Sequence, residues 1–249
     1  LFTRELKLRH HRDSFFNCLK ISATSSFVIR DNKEYILAGY PWFKVRARDT
    51  FIALPGSTLI IGEEHEFDNI MAPAVAALEK YMADGTTDKI INEIDDPDIP
   101  LWAIWTIQQY AKYTSTEKAV ENYGKLVQDI IDNILNGKMP NLEVRNNGLV
   151  YSIGTDKAVT WMNTTEFGRP LIPRTGYIVE FNALWYNALK FAMEISNDQE
   201  KIDEILNETI KNFTGLVSES GYNAVVGFRT GVEVYTNNNV LTSNIKIFY

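Results

Sequence analysis

Long amphipathic helical patterns, set in pairs and interrupted by hairpin signals, constrain this chain more than any other feature. The clearest lies at 116–135, where Ala119, Val120, Tyr123, Leu126, Val127, Ile130, Ile131, Ile134 and Leu135 recur at helical spacing. Thr114 with Glu117 predicts a capping box at its start, and Gly137 predicts its end. Residues 64–83 repeat the pattern, with Pro73 expected to kink or split the helix. Pro100 opens a helix carrying Leu101, Ile104 and Trp105. Further helices are predicted at 12–22, 50–61, 180–195 and 198–213, the last started by Asn197 or Asp198. The helices number about seven. Hairpins are predicted at 25–38 around Asp31-Asn32-Lys33, at 143–153 around Asn147-Gly148, and around Thr230-Gly231. Strands do not alternate singly with helices, which disfavours a parallel sheet. The expected fold is mainly α, an antiparallel helix-pair array. An α/α toroid fits best, although periodicity does not separate it from a bundle or a superhelix.

Composition narrows the function. The chain has 249 residues, 45% hydrophobic and 23% charged, enough for a sizeable core in one large or two small domains. No repeat or linker breaks it, so a single domain over 1–249 is expected. Its net charge of −7 disfavours a broad phosphate-binding surface, hence no nucleic acid partner. No apolar run approaches the roughly 20 residues that span a bilayer, hence no membrane. A single cysteine, Cys18, excludes an intramolecular disulfide and a thiolate metal cluster. Glu63, Glu64, His65, Glu66 and Asp68 look metal-like but hold one histidine, and read as a solvated helix start. With that stretch set aside no metal site is expected, and no glycine-rich phosphate loop or nucleophile elbow occurs. The opening residues are polar, without an apolar leader, which points to the cytoplasm.

Five tryptophans then stand out: Trp42, Trp102, Trp105, Trp161 and Trp185. Four lie near a proline, an arginine or an acidic residue. Flat aromatic faces beside carboxylates and arginines suit a sugar, whose C–H face stacks while its hydroxyls take charged partners. The plainer alternative is that these tryptophans are core. Arg48 and Asp49 in VRARDTF read either as a helix cap with a solvated arginine or as a fixed aspartate facing sugar hydroxyls, its geometry held by Arg48. Arg174 and Glu180 lie in RPLIPRTGYIVE, where a shaped loop feeds a helix. Asp98, in the acidic loop Ile94–Asp98, reads as a solvated turn or a ligand contact.

The strings AGYPWFKVRARDTFIALPG, DIPLWAIW, VTWMN and PLIPRTGYIVEFNALWYNAL resemble the glucosidase half of glycogen debranching enzymes, the amylo-α-1,6-glucosidase family. The likeness runs in order from about Arg12 to about Phe213. It implies an (α/α)6 toroid with short β-hairpins on one rim. It also implies cofactor-free, inverting hydrolysis of the α-1,6-linked glucose at branch points of glycogen or related α-glucans. Inversion needs a protonated carboxylic acid and a carboxylate base roughly 6.5–9.5 Å apart. The family's acid is the aspartate of Thr-Trp-Met-Asp, and here Asn163 occupies that position, with Glu166 as the possible substitute. The family's Trp-Gly-Arg-Asp becomes Arg46-Ala47-Arg48-Asp49. No equivalent of the family's base glutamate is found before Tyr249. About seven helices fall short of the twelve that close a toroid. The array is therefore expected to be incomplete, truncated on its C-terminal side, and to lean on additional domains or self-association. On this resemblance Trp42, Arg48, Asp49, Asp98, Trp102, Trp161, Arg174 and Glu180 are the expected substrate-binding residues. The alternative to a hydrolase is a catalytically impaired α-glucan-binding module.

Overall fold

The computed structural model describes residues 11–40, 42–153, 157–172, 174–195, 199–219, 232–233 and 246–247. It is mainly helical, 58% helix, with seven α-helices among the described residues. Every named strand pair is antiparallel and two-stranded. The chain divides into two compact units, Leu1–Leu126 and Val127–Tyr249.

The first unit holds helix α1 (Phe15–Ala23), the hairpin β1 (Phe27–Arg30) and β2 (Lys33–Ile36), and helices α2 (Ala47–Ser57), α3 (Glu64–Asp84) and α4 (Ile99–Tyr113). Asp31 and Asn32 both take positive φ, 52° and 59°, which makes the two-residue turn that matches strand twist. Ser14 caps α1 by accepting from Asn17 N at 3.1 Å. The apolar side expected there is not buried: Phe15, Phe16 and Leu19 are exposed. Helix α2 packs on α3 and α4, and β2 lies against α3. Their shared core includes Phe51, Leu54, Phe67, Met71 and Ile104, all without solvent exposure. Thr106 of α4 donates to Phe51 O at 2.7 Å, tying α4 to α2. Pro73 does not split α3, which continues past it for eleven residues with Pro73 buried. Packing on both sides of the proline outweighs the one backbone hydrogen bond it removes.

Helix α5 (Thr116–Leu135) contains the boundary. Its cap is Ser115 rather than Thr114: Ser115 Oγ accepts from Lys118 N at 3.2 Å, while Thr114 Oγ1 closes α4 by donating to Tyr110 O at 2.8 Å. At the far end Gly137, φ 63°, donates to Ile134 O and Lys138 N to Asn133 O, the paired bonds of a glycine-closed helix end.

The second unit holds the hairpin β3 (Leu142–Val144) and β4 (Val150–Ser152), the two-residue strands β5 (Thr165–Glu166) and β6 (Arg169–Pro170), and helices α6 (Val179–Ile195) and α7 (Gln199–Glu219). Helices α6 and α7 pack together, and β4 lies against α6. Asn182, fully buried, accepts from Val150 N and donates to Val150 O, so a side-chain amide completes the edge of β4. Gly148 O accepts from Trp185 Nε1 at 3.0 Å and Thr209 Oγ1 at 2.8 Å. The start signals Asn197 and Asp198 and the hairpin at Thr230-Gly231 lie outside the described residues. Strand β7 (Val232–Glu233) pairs with β8 (Lys246–Ile247).

Candidate functional site

The expected site residues fall in both units, and each group is described within its own. In the first unit, Val45 to Ala47 is fixed from two sides. Val45 bridges Leu37, and Arg46 bridges Asn92, with Ala47 N donating to Asn92 O at 2.9 Å and Asn92 N to Val45 O at 3.0 Å. These bonds bring the loop before α4 against the start of α2. Arg48 is consequently not the solvated arginine of a cap. It is 5% exposed. Its Nε donates to Asp98 at 2.7 Å, and its Nη2 to Asp98 at 2.8 Å and to Asp96 at 2.6 Å. Its Nη1 faces Glu93 at 3.4 Å. Burial alone would lower the guanidinium pKa, but Asp98 and Asp96 outweigh it and hold the pKa above the ordinary value.

The acidic loop is likewise not a solvated turn. Asp96 and Asp98 are both 2% exposed, carried inward by Ile94 and Ile99 on either side. Asp98 also accepts from Trp102 Nε1 at 3.1 Å. Asp98, Trp102 and Arg48 therefore form one buried network. Two carboxylates at its margin are less enclosed. Asp49, in the first turn of α2, has its pKa raised by burial, against the opposing pull of Arg46 and Arg48. Glu93 has a positive φ of 63°. Its pKa is raised by burial first, with Arg46 pulling the other way. Glu93 and Asp96 were missing from the expected set. The signal for them was the spacing Ile94 to Ile99 around a run of acids, which reads as solvated until its arginine partner, about fifty positions away, is known.

In the second unit, Ser152 N and Gly176 N each donate to the other residue's carbonyl at 2.9 Å, and Ser152 Oγ donates to Arg174 O at 2.7 Å. This fixes the backbone at Arg174 against β4. Arg174 Nη2 pairs with Glu180 Oε1 in the first turn of α6, and Arg174 Nη1 meets Met162 Sδ at 3.2 Å. Trp161 Nε1 donates to the same Glu180 oxygen at 3.3 Å, while its ring stays 49% exposed. Trp161, Arg174 and Glu180 thus come together, with half-buried Asn163 two residues beyond Trp161. Thr160, β-branched and fully buried, takes φ 70° just ahead of them. Glu166 is exposed, on a small hairpin whose tip is Phe167-Gly168.

The five tryptophans separate cleanly. Trp102, Trp105 and Trp185 are buried, whereas Trp42 and Trp161 are exposed, Trp42 to 84%. The core reading holds for Trp102, Trp105 and Trp185, and not for Trp42 and Trp161. Around Glu64 to Asp68, Lys118 pairs with Glu64 at 2.8 Å and Tyr123 donates to Asp68 at 3.1 Å. Among the described residues no group of three or more His, Cys, Asp or Glu is placed to hold a metal ion. Among them, too, no helix is long and apolar enough to cross a membrane.

These clusters sit in a segment with a recognised relationship. The family model for amylo-alpha-1,6-glucosidase matches residues 21–225. The chain belongs to that family. A search of curated proteins returns no match.

Proposed function

We propose that this chain is a debranching-type glycoside hydrolase domain that takes the α-1,6-linked glucosyl residue at a branch point of glycogen or a related α-glucan. The family match over 21–225 is the observation that carries this reading. The reaction is inverting hydrolysis without a cofactor, on a helix-pair array of the α/α toroid type with the hairpins on one rim, and one domain comprises the whole chain. Asp49 accepts hydrogen bonds from sugar hydroxyls, while Asp98 and Trp102 support it from behind through Arg48. Trp42 in the first unit and Trp161 in the second each expose a flat apolar face of the kind that stacks on a sugar ring. Arg174 and Glu180 orient Trp161. Position 163 is where leaving-oxygen protonation belongs.

Asn163 favours a second reading at that same site. An amide carries no acidic proton, and general-acid help contributes typically about 10²–10⁴-fold. The chain then holds α-glucan without cleaving it at an enzymatic rate, unless Glu166 supplies the proton. One experiment separates the readings: glucose release from an α-1,6-branched maltodextrin, run beside calorimetric titration of the same ligand. Turnover of about 1–10³ per second establishes the hydrolase. Saturable binding without turnover establishes the binding module. Neither binding nor turnover removes both.

A further inference from the structure

We infer that the guanidinium which meets the substrate in the first unit is that of Arg46, and that Arg48 beside it is an internal scaffold. The inference rests on the α-glucan reading above and assigns a residue within it. The two arginines are two positions apart and differ in every relevant respect. Each of Arg48's guanidinium nitrogens is engaged by a carboxylate, and its side chain is 6% exposed, so a sugar hydroxyl has no donor there to meet. Arg46 keeps 30% of its side chain exposed. Its one ion pair among the described residues, Nε to Glu93, is long at 3.4 Å and leaves the outer edge of the fork for other acceptors.

Its surroundings are those a glucosyl unit uses. The Arg46 guanidinium lies over the Phe43 ring, 4.9 Å from its centre, and Phe43 is itself 49% exposed. Trp42, next in the chain, is 84% exposed. Asp49 lies close enough that burial, which raises its pKa, is partly opposed by the positive charge of Arg46. Flat rings, a planar donor and a carboxylate acceptor together offer what a pyranose needs: stacking for its C–H face, a donor and an acceptor for vicinal hydroxyls. The backbone under Arg46 is fixed by its bridge to Asn92 and, one residue earlier, by the bridge from Val45 to Leu37. The donor is therefore presented from a rigid element rather than a loose loop.

The test uses the full chain and isomaltose, two α-1,6-linked glucose units, titrated calorimetrically against the parent, Arg46→Met, Arg46→Lys and Arg48→Lys, with a urea unfolding curve for each. Arg46→Met is expected to lose about ten-fold or more in affinity, the effect of one charge-assisted hydrogen bond. Its unfolding midpoint stays near the parent's, since a partly exposed ion pair contributes little to stability. Arg46→Lys, which keeps the charge but not the fork, falls between. Arg48→Lys shows the opposite pattern, a lowered midpoint with the larger share of affinity retained by the folded fraction. Parental affinity in Arg46→Met, or a loss of affinity in Arg48→Lys at an unchanged midpoint, overturns the inference while leaving the glucan reading intact. A parent chain that does not bind isomaltose removes that reading and the inference with it.

Discussion

Arg48 brings Asp96 and Asp98 under one guanidinium where almost no water reaches, and this decides what its loss costs. Removing one partner of a buried ion pair leaves the other charges uncompensated, typically costing about 3–5 kcal/mol. Arg48→Met is expected to lose that much in urea unfolding, and adding Asp96→Asn with Asp98→Asn is expected to restore most of it. Asp49 responds to pH in the opposite sense to an ordinary salt-bridged carboxylate. Its folded pKa is raised by burial, so the folded chain binds the proton more tightly than the unfolded chain. Its contribution therefore opposes folding above the raised pKa, and that penalty fades as pH falls toward the unfolded value near about 3.9. Asp49→Asn is expected to be more stable than the parent at neutral pH, with the gap closing as pH falls toward about 4. Thermal melts of the two chains across that range measure it; a gap that widens on acidification contradicts the assignment. At this scale the sequence was half legible. VRARDTF singled out Arg48 and Asp49, but the carboxylate partners of Arg48 stand 45, 48 and 50 positions away, and nothing in local spacing encodes such a pairing.

At the scale of elements, periodicity carried most of the information. The helix expected at 116–135 spans Thr116–Leu135, and that at 64–83 spans Glu64–Asp84. Their long apolar stripes each bury one face, which is the term that dominates helix stability in a protein. Boundaries were less legible because adjacent residues compete for them. Thr114 and Ser115 are both good caps, and the end of α4 claims the threonine. The Asn147-Gly148 signal identified a hairpin but not why the glycine matters. Gly148 has φ 75°, and a Cβ added there would meet Thr209 N of α7 at 2.9 Å, too close for either backbone to yield cheaply. Gly85 has nearly the same φ, 73°, but open space around it. Gly85→Ala is expected to cost about 1–2 kcal/mol for the left-handed backbone alone. Gly148→Ala should cost clearly more, because hairpin and α7 must also move apart. Paired chemical denaturation curves check the ordering, and equal losses would mean that the contact with Thr209 is slack.

For the whole molecule, the helical class follows from the pattern of paired amphipathic segments, and the family from a few strings of motif text. Closure of helix pairs into a ring depends on which faces meet, which periodicity does not specify. The proposed chemistry turns on Asn163, the position at which the motif resemblance expects the family's acid. Half-buried and two residues past the Trp161 ring that Glu180 holds, it sits where a carboxylic acid would be partly desolvated. Desolvation raises a carboxyl pKa, which keeps part of the acid protonated near neutrality, the condition a general acid needs. Asn163→Asp is therefore expected to raise glucose release from an α-1,6-branched maltodextrin by about 10²–10⁴-fold. Isomaltose affinity should change far less, since amide and carboxylic acid are nearly isosteric. The rate should also fall as pH rises through the new group's pKa, a limb absent from the parent. An unchanged rate with binding intact would show that position 163 does not protonate the leaving oxygen. In that event Glu166→Gln, tested on the parent, is expected to abolish its slow release if Glu166 is the donor, and a release that persists would point to another carboxylate.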